Sequence, residues 1–165
     1  MPEKKTFIIE ALSVIAIVAV LWLTRGHGIS GRPHFKRSSV TITRADGRQF
    51  PFATEVAATP QEQAYGLMFV RALPENAGMI FPYNPPRAVE FWMENTFIPL
   101  DIIFVRPDGR IGRIAADARP QDVTPIPSQG PVIAVVEING GLAKKDGFAA
   151  GDKVDSPVIR PTAAP

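Results

Sequence analysis

Two carboxylates sit inside apolar runs, and they are the residues of this chain that most need a physical account. Asp101 lies between Leu100 and Ile102 in LDIIFV, and Glu137 lies between Val136 and Ile138 in VVEIN. An acid on a buried strand must be hydrogen-bonded, charge-paired or placed at an exposed strand end, because an unpaired charge is costly away from water. Arg71 is a candidate partner for Glu137. Asn95 and Thr96 form a turn just ahead of Asp101, Pro99 stiffens the backbone between, and Trp92 offers an apolar wall. Arg71, Trp92, Asn95, Thr96, Asp101 and Glu137 together outline a polar ligand-binding cleft. If Asp101 and Glu137 meet, about 5–9.5 Å apart, they form the acid and base of a glycosidase-like hydrolase. The competing reading is that Asp101 and Asn95 only engage backbone N–H groups and tie the turn together.

Other chemistries are narrower. Apart from Met1 the methionines are Met68, Met79 and Met93. Thioethers favour Cu(I), although packing in a core is the ordinary role of methionine. The absence of cysteine excludes disulfides, thiolate zinc sites and cysteine nucleophiles. Both histidines, His27 and His34, precede the expected domain, so it holds no His-supported metal site and no serine–histidine pair. Phosphate-loop glycine patterns are missing. Residues 141–154, GLAKKDGFAAGDKV, echo peptide-binding PDZ domains, but the rest of that fold is absent. A formal net charge of +2 does not point to nucleic acid, which needs Lys and Arg gathered on one face. No metal and no cofactor are expected.

The elements that must position these residues are short. Hydrophobic residues make up 45% and charged residues 21% of the chain, enough for a packed core. Seventeen prolines and 13 glycines favour many turns over long helices. Val40 and Ile42 alternate with Thr41 and Thr43, as on a half-buried strand. Asp46-Gly47 turns this strand into a second over residues 49–56. Thr59, Pro60 and Glu62 form a capping box that opens a short helix ended near Gly66. Further strands are expected at residues 79–81, 88–93, 100–105, 110–115, 132–138 and near Val154, with a helical turn reaching Lys145. A proline-rich loop is expected over residues 120–131. About seven or eight strands with one short helix describe a mainly β fold, a compact β-sandwich or partly closed barrel.

The start of the chain differs. Residues 11–23, ALSVIAIVAVLWL, carry no charge. As an apolar helix they would extend roughly 20 Å, against about 30 Å for a bilayer core, and reaching back to Phe7 takes in Glu10. Lys4 and Lys5 supply a basic flank. No A-x-A pattern follows the run, so an uncleaved anchor is favoured over a cleaved signal. The chain is expected to meet a membrane through residues 7–23 and to be inner-membrane anchored or periplasmic. Arg25, Arg32, Lys36 and Arg37 follow the run and conflict with the first flank over orientation. The expected organisation is a signal or anchor over residues 1–24, a basic linker over 25–37, a single β-rich domain over 38–157 and a loose tail over 158–165.

Three blocks recur together: GLMFVRALPENAGMIF at residues 66–81, FWMENTFIPLDIIFV at 91–105 and VVEINGG at 135–141. In this order and spacing the chain resembles the bacterial and archaeal family called domain of unknown function 192, over roughly residues 38–154. The resemblance implies a compact β-sandwich domain, often behind an export or anchor segment, with no established biochemical role. Two positions depart from the family pattern. Val70 stands where Arg is common, with Arg71 following, and Glu94 stands where Lys is common. The leading expectation is an envelope module that binds a small polar ligand or an envelope protein in the cleft. The alternatives are a hydrolase using Asp101 and Glu137, and a domain whose motif residues only specify the fold.

Overall fold

The structure, a computed structural model, describes residues 31–162. The folded unit starts at Pro33. The apolar run at residues 7–23, and with it the expected membrane helix, lies outside the described residues. Among the described residues no helix is long and apolar enough to cross a membrane.

Among the described residues nine strands and two short helices follow in the order β1 (Lys36–Thr43), β2 (Gln49–Val56), α1 (Pro60–Tyr65), β3 (Ala77–Arg87), β4 (Glu90–Phe91), β5 (Leu100–Val105), β6 (Ile111–Ala118), β7 (Ile126–Pro127), β8 (Val132–Asn139), α2 (Leu142–Asp146) and β9 (Lys153–Asp155). Seven strands make one sheet in the order β6-β5-β8-β3-β2-β1-β9, and β4 pairs with β7 in a separate ribbon. The large sheet curls into a half-barrel. At its edges Arg110 and Lys153 form an isolated antiparallel bridge, supported by Ile111 N–H donating to Asp152 O at 2.8 Å. The domain is therefore a partly closed single sheet with a small second ribbon, not two facing sheets of a sandwich.

Local signals explain several elements. Asp46-Gly47 closes the β1–β2 hairpin, in which Val40 faces Phe52 and Ile42 faces Phe50. Thr59 caps α1 as the capping box requires. Its hydroxyl accepts from the Glu62 N–H, and the Glu62 carboxylate accepts from the Thr59 N–H at 2.8 Å. The short helix then carries the chain from β2 to β3, which pair in parallel. The other pairs are antiparallel.

Four boundaries depart from expectation. β1 begins at Lys36, so the end of the basic linker is part of the sheet. β3 runs on through Pro82, Pro85 and Pro86 to Arg87, with its ladder shifted after Pro82. Proline removes a ladder donor, which is why the sequence reads as a break there. The expected strand at residues 88–93 contracts to β4, and its partner β7 lies within the expected proline-rich loop. The chain end is not loose at Ile159, which is buried, nor at Thr162, whose N–H donates to Pro107 O at 2.9 Å.

The central strands are apolar apart from Asp101, Glu137 and Asn139 because both faces of the sheet are covered. β5 is wholly buried, and β8 is buried up to Asn139. One core, on the concave face, gathers Val40, Ile42, Ile80, Ile103, Val136 and Ile138. The other gathers Met79, Phe81, Met93, Ile102, Phe104 and Val135 under the segments that carry Tyr65, Leu67 and Phe91. Alternate residues of one strand therefore feed different cores, and this parity decides where the two carboxylates point.

Candidate functional site

Register separates Asp101 from Glu137. On the β5–β8 ladder Asp101 faces Ile138 and Ile102 faces Glu137. Residues opposite one another in a ladder share a face. Asp101 thus lies on the face of Ile138 and the concave core, and Glu137 on the face of Ile102 and the other core. The carboxylates do not converge, and the paired-acid hydrolase has no site here.

Asp101 is fully buried and fully engaged. Its Oδ1 accepts from the N–H groups of Asp117 at 2.7 Å and Gly141 at 3.0 Å, and its Oδ2 accepts from Ala143 N–H at 2.7 Å. Helix α2 has Gly141 at its N-cap, with no side-chain cap of its own. The Asp101 carboxylate takes that role from a neighbouring strand, satisfying the orphan N–H groups of the first turn. The expectation that Asp101 engages backbone N–H groups holds. The donors lie on β6 and at the start of α2, not in the Asn95 turn, and Asp101 does not line the pocket described below.

Glu137 is the opposite case. It is 5% exposed, and its Oε2 has no hydrogen-bond partner. Burial alone pushes its carboxyl up to about 8, so the neutral acid is the resting form at pH 7. Arg71, the expected partner, is elsewhere: its guanidinium stacks 5.1 Å from the centroid of the Phe97 ring.

A pocket of about 340 Å3 opens above Glu137. One wall is the end of α1 and the turn after it, Gln63 to Met68. Gly66 closes α1 with φ of 51°, and a Cβ there would sit 3.4 Å from the Phe81 ring. β3 contributes Phe81 and Tyr83, and the segment from Arg87 to Thr96 forms the far side, with Phe91 and Trp92 as its apolar surface. Trp92 is 46% exposed, unusual for so large an apolar ring, and stands at the mouth. Phe91 packs edge-on against Phe81 with centroids 5.0 Å apart. Arg87 lies across the Tyr83 ring at 4.7 Å and donates to Gln63 Oε1 at 3.3 Å. Burial pushes the Tyr83 phenol up to about 12. Arg87 opposes this and the Glu137 charge adds to it, so the phenol stays neutral.

Of the six residues expected to form the cleft, Trp92, Thr96 and Glu137 share this pocket, while Arg71, Asn95 and Asp101 do not line it. Thr96 is buried, and its hydroxyl donates to Glu94 O at 3.2 Å. Asn95 braces the wall from behind. It adopts φ of 53°, its carbonyl accepts from Phe69 N–H at 2.8 Å, and Phe69 is itself left-handed at 64°. The methionines do not gather either. Met79 and Met93 are fully buried core residues, and of the three only Met68 reaches the pocket. Among the described residues no group of three His, Cys, Asp or Glu side chains is placed to hold a metal.

Phe81, Tyr83 and Arg87 are among the pocket residues that sequence reading missed. The alternation Met79, Phe81, Tyr83 was their signal, but Pro82 reads as a strand end and hid its continuation past Phe81. A larger groove, about 810 Å3, runs between Pro82–Arg87 and the chain end, but no acid or histidine lines it.

A half-barrel domain with one aromatic pocket over a buried acid is the class that this geometry defines. The chain belongs to the DUF192 family, described as "Uncharacterized ACR, COG1430", whose model matches residues 41–156. It is similar to the crystal structure of a protein of unknown function from Novosphingobium aromaticivorans, at 51% identity and a TM-score of 0.71, covering 78% of this chain and 89% of that one. It is also similar to a protein from Sinorhizobium meliloti described as a "putative transcription regulator". That match has 33% identity and a TM-score of 0.75, covering 78% of this chain and all of the other. No curated protein matches the chain.

Proposed function

We propose that this domain is a small-ligand-binding module that seats its ligand in the aromatic pocket above Glu137. One observation carries the reading: a carboxyl oxygen without a partner, buried at the edge of an open pocket. A buried polar atom left unpaired is costly, and a ligand that supplies the missing hydrogen bond removes that cost only in the bound state. The rest of the lining suits small-molecule recognition, with five aromatic rings interleaved with polar and charged side chains at a volume near the lower end for such sites.

The charge-free run at residues 11–23 supports placing the module at a membrane, inner-membrane anchored or exported. Fractionation of cells carrying the full chain tests this, since recovery in the soluble cytosol would overturn it.

Backbone NMR of the full chain with a panel of small aromatic alcohols, acids and amines tests the pocket. Shifts should cluster at Met68, Trp92 and Glu137, and Ala88→Trp, which fills the mouth from an exposed position, should abolish them. Shifts scattered over the surface, or unchanged in Ala88→Trp, refute the reading.

A further inference from the structure

The charged groups around the pocket select among ligands. Glu90, Glu94 and Glu137 line it, against one cation, Arg87, which is already turned onto the Tyr83 ring and Gln63. An anion would therefore face up to three carboxylates for one occupied guanidinium. A neutral alcohol would gain nothing from Glu90 and Glu94. A cation gains from both acids and from the faces of the aromatic rings.

We propose that the pocket selects a small organic ammonium ion, its N–H donating to the Glu137 carboxylate and its apolar body lying against Phe91 and Trp92. This rests on the ligand-binding reading above and names the class of ligand. The volume, about 340 Å3, suits an amine with a single ring or short chain.

Docking is coupled to a proton. Glu137 is neutral up to about pH 8 in the empty pocket, and the ammonium requires the carboxylate. The other titratable groups around it are Tyr65 from α1, Tyr83 and Arg87 from β3, Glu90 from β4 and Glu94 from the loop after it. The Tyr83 phenol, at about 12, does not titrate in this window. β5 faces Glu137 with Ile102, which carries no charge. At pH 7 roughly nine-tenths of the molecules release a proton on binding, and affinity rises about eightfold from pH 7 to pH 8.5.

Calorimetry and NMR of the full chain with benzylammonium, benzyl alcohol and benzoate test this. Benzylammonium should bind with the stated proton release and pH dependence, and benzoate should not bind. Glu137→Gln, with its fold verified by its NMR spectrum, should weaken benzylammonium at least tenfold and remove the pH dependence. If benzyl alcohol or benzoate binds as well as benzylammonium, or if Glu137→Gln binds benzylammonium unchanged, the ammonium assignment is overturned while the pocket remains a ligand site. If none of the three probes shifts pocket resonances, both the assignment and the binding reading fall.

Discussion

Replacing Asp101 with Asn separates a structural carboxylate from a binding one. The native carboxylate accepts three backbone N–H groups at 2.7, 3.0 and 2.7 Å. An amide has one oxygen. In its better orientation that oxygen keeps Asp117 and Gly141, and the amide NH2 is then driven against Ala143 N–H. One charge-assisted bond worth about 1.5–3 kcal/mol is lost, and two donors are left facing each other at a further cost of about 1–3 kcal/mol. The flipped orientation loses two bonds and is worse. The expected destabilisation is about 4 kcal/mol, large for a single substitution. With a urea slope of about 2 kcal/mol per M, the unfolding midpoint of the full chain should fall by about 2 M. α2, whose first turn Asp101 caps, should lose amide protection first. A midpoint within about 0.3 M of the parent would refute the assignment of Asp101 to the fold and return it to the candidates for binding.

Other outcomes follow from the same geometry. The raised Glu137 carboxyl makes stability depend on pH. Between about 4.5 and 8 the unfolded chain holds fewer protons than the folded one, so stability falls as pH rises through that window. The full penalty, about 5 kcal/mol, is in place above pH 8. Urea melts of Glu137→Gln should therefore be flatter over pH 5–8 and show a more stable protein at pH 8, whereas parallel curves would show that Glu137 is not buried as a neutral acid. Gly78→Ala would place a Cβ 2.5 Å from Glu137 O across the β3–β8 ladder, so a loss of about 2 kcal/mol is expected by denaturant melt, and a neutral result would contradict that close approach. Arg71→Ala removes a cation stacked on Phe97 and should leave the Glu137 titration unchanged, since Arg71 is not its partner. A shift in that titration by NMR would show otherwise.

Much of the frame was legible from local signals. The Asp46-Gly47 hairpin, the capping box of Thr59 and Glu62, and the apolar runs of β5 and β8 each rest on residues close in sequence. The unusual status of Asp101 and Glu137 was legible too, because acids in apolar runs need an account. Which face each acid points to was not. That depends on the β5–β8 register, and a slip of one residue would set Asp101 opposite Glu137 on one face. The pocket was half visible. Phe81, Trp92, Thr96 and Glu137 stand in the family motifs, but Tyr83 and Arg87 lie on a strand that continues through prolines. A continuation of that kind is decided by pairing with β8 rather than by local preference. The ribbon of β4 and β7 was hidden for the same reason, since two residues per strand leave no periodicity to read.

The proposed function requires that Glu137 hold an unpartnered, neutral carboxyl at the base of the pocket. Titrating its side-chain carboxyl carbon by NMR in the full chain, without ligand and then with benzylammonium, tests it most directly. A midpoint about 8 is expected in the empty pocket, with a marked fall once the ammonium is bound. A midpoint near the ordinary glutamate value of about 4.3 in the empty pocket, unmoved by the amine, would mean that the carboxyl is already solvated or paired and that this pocket is not where the domain works.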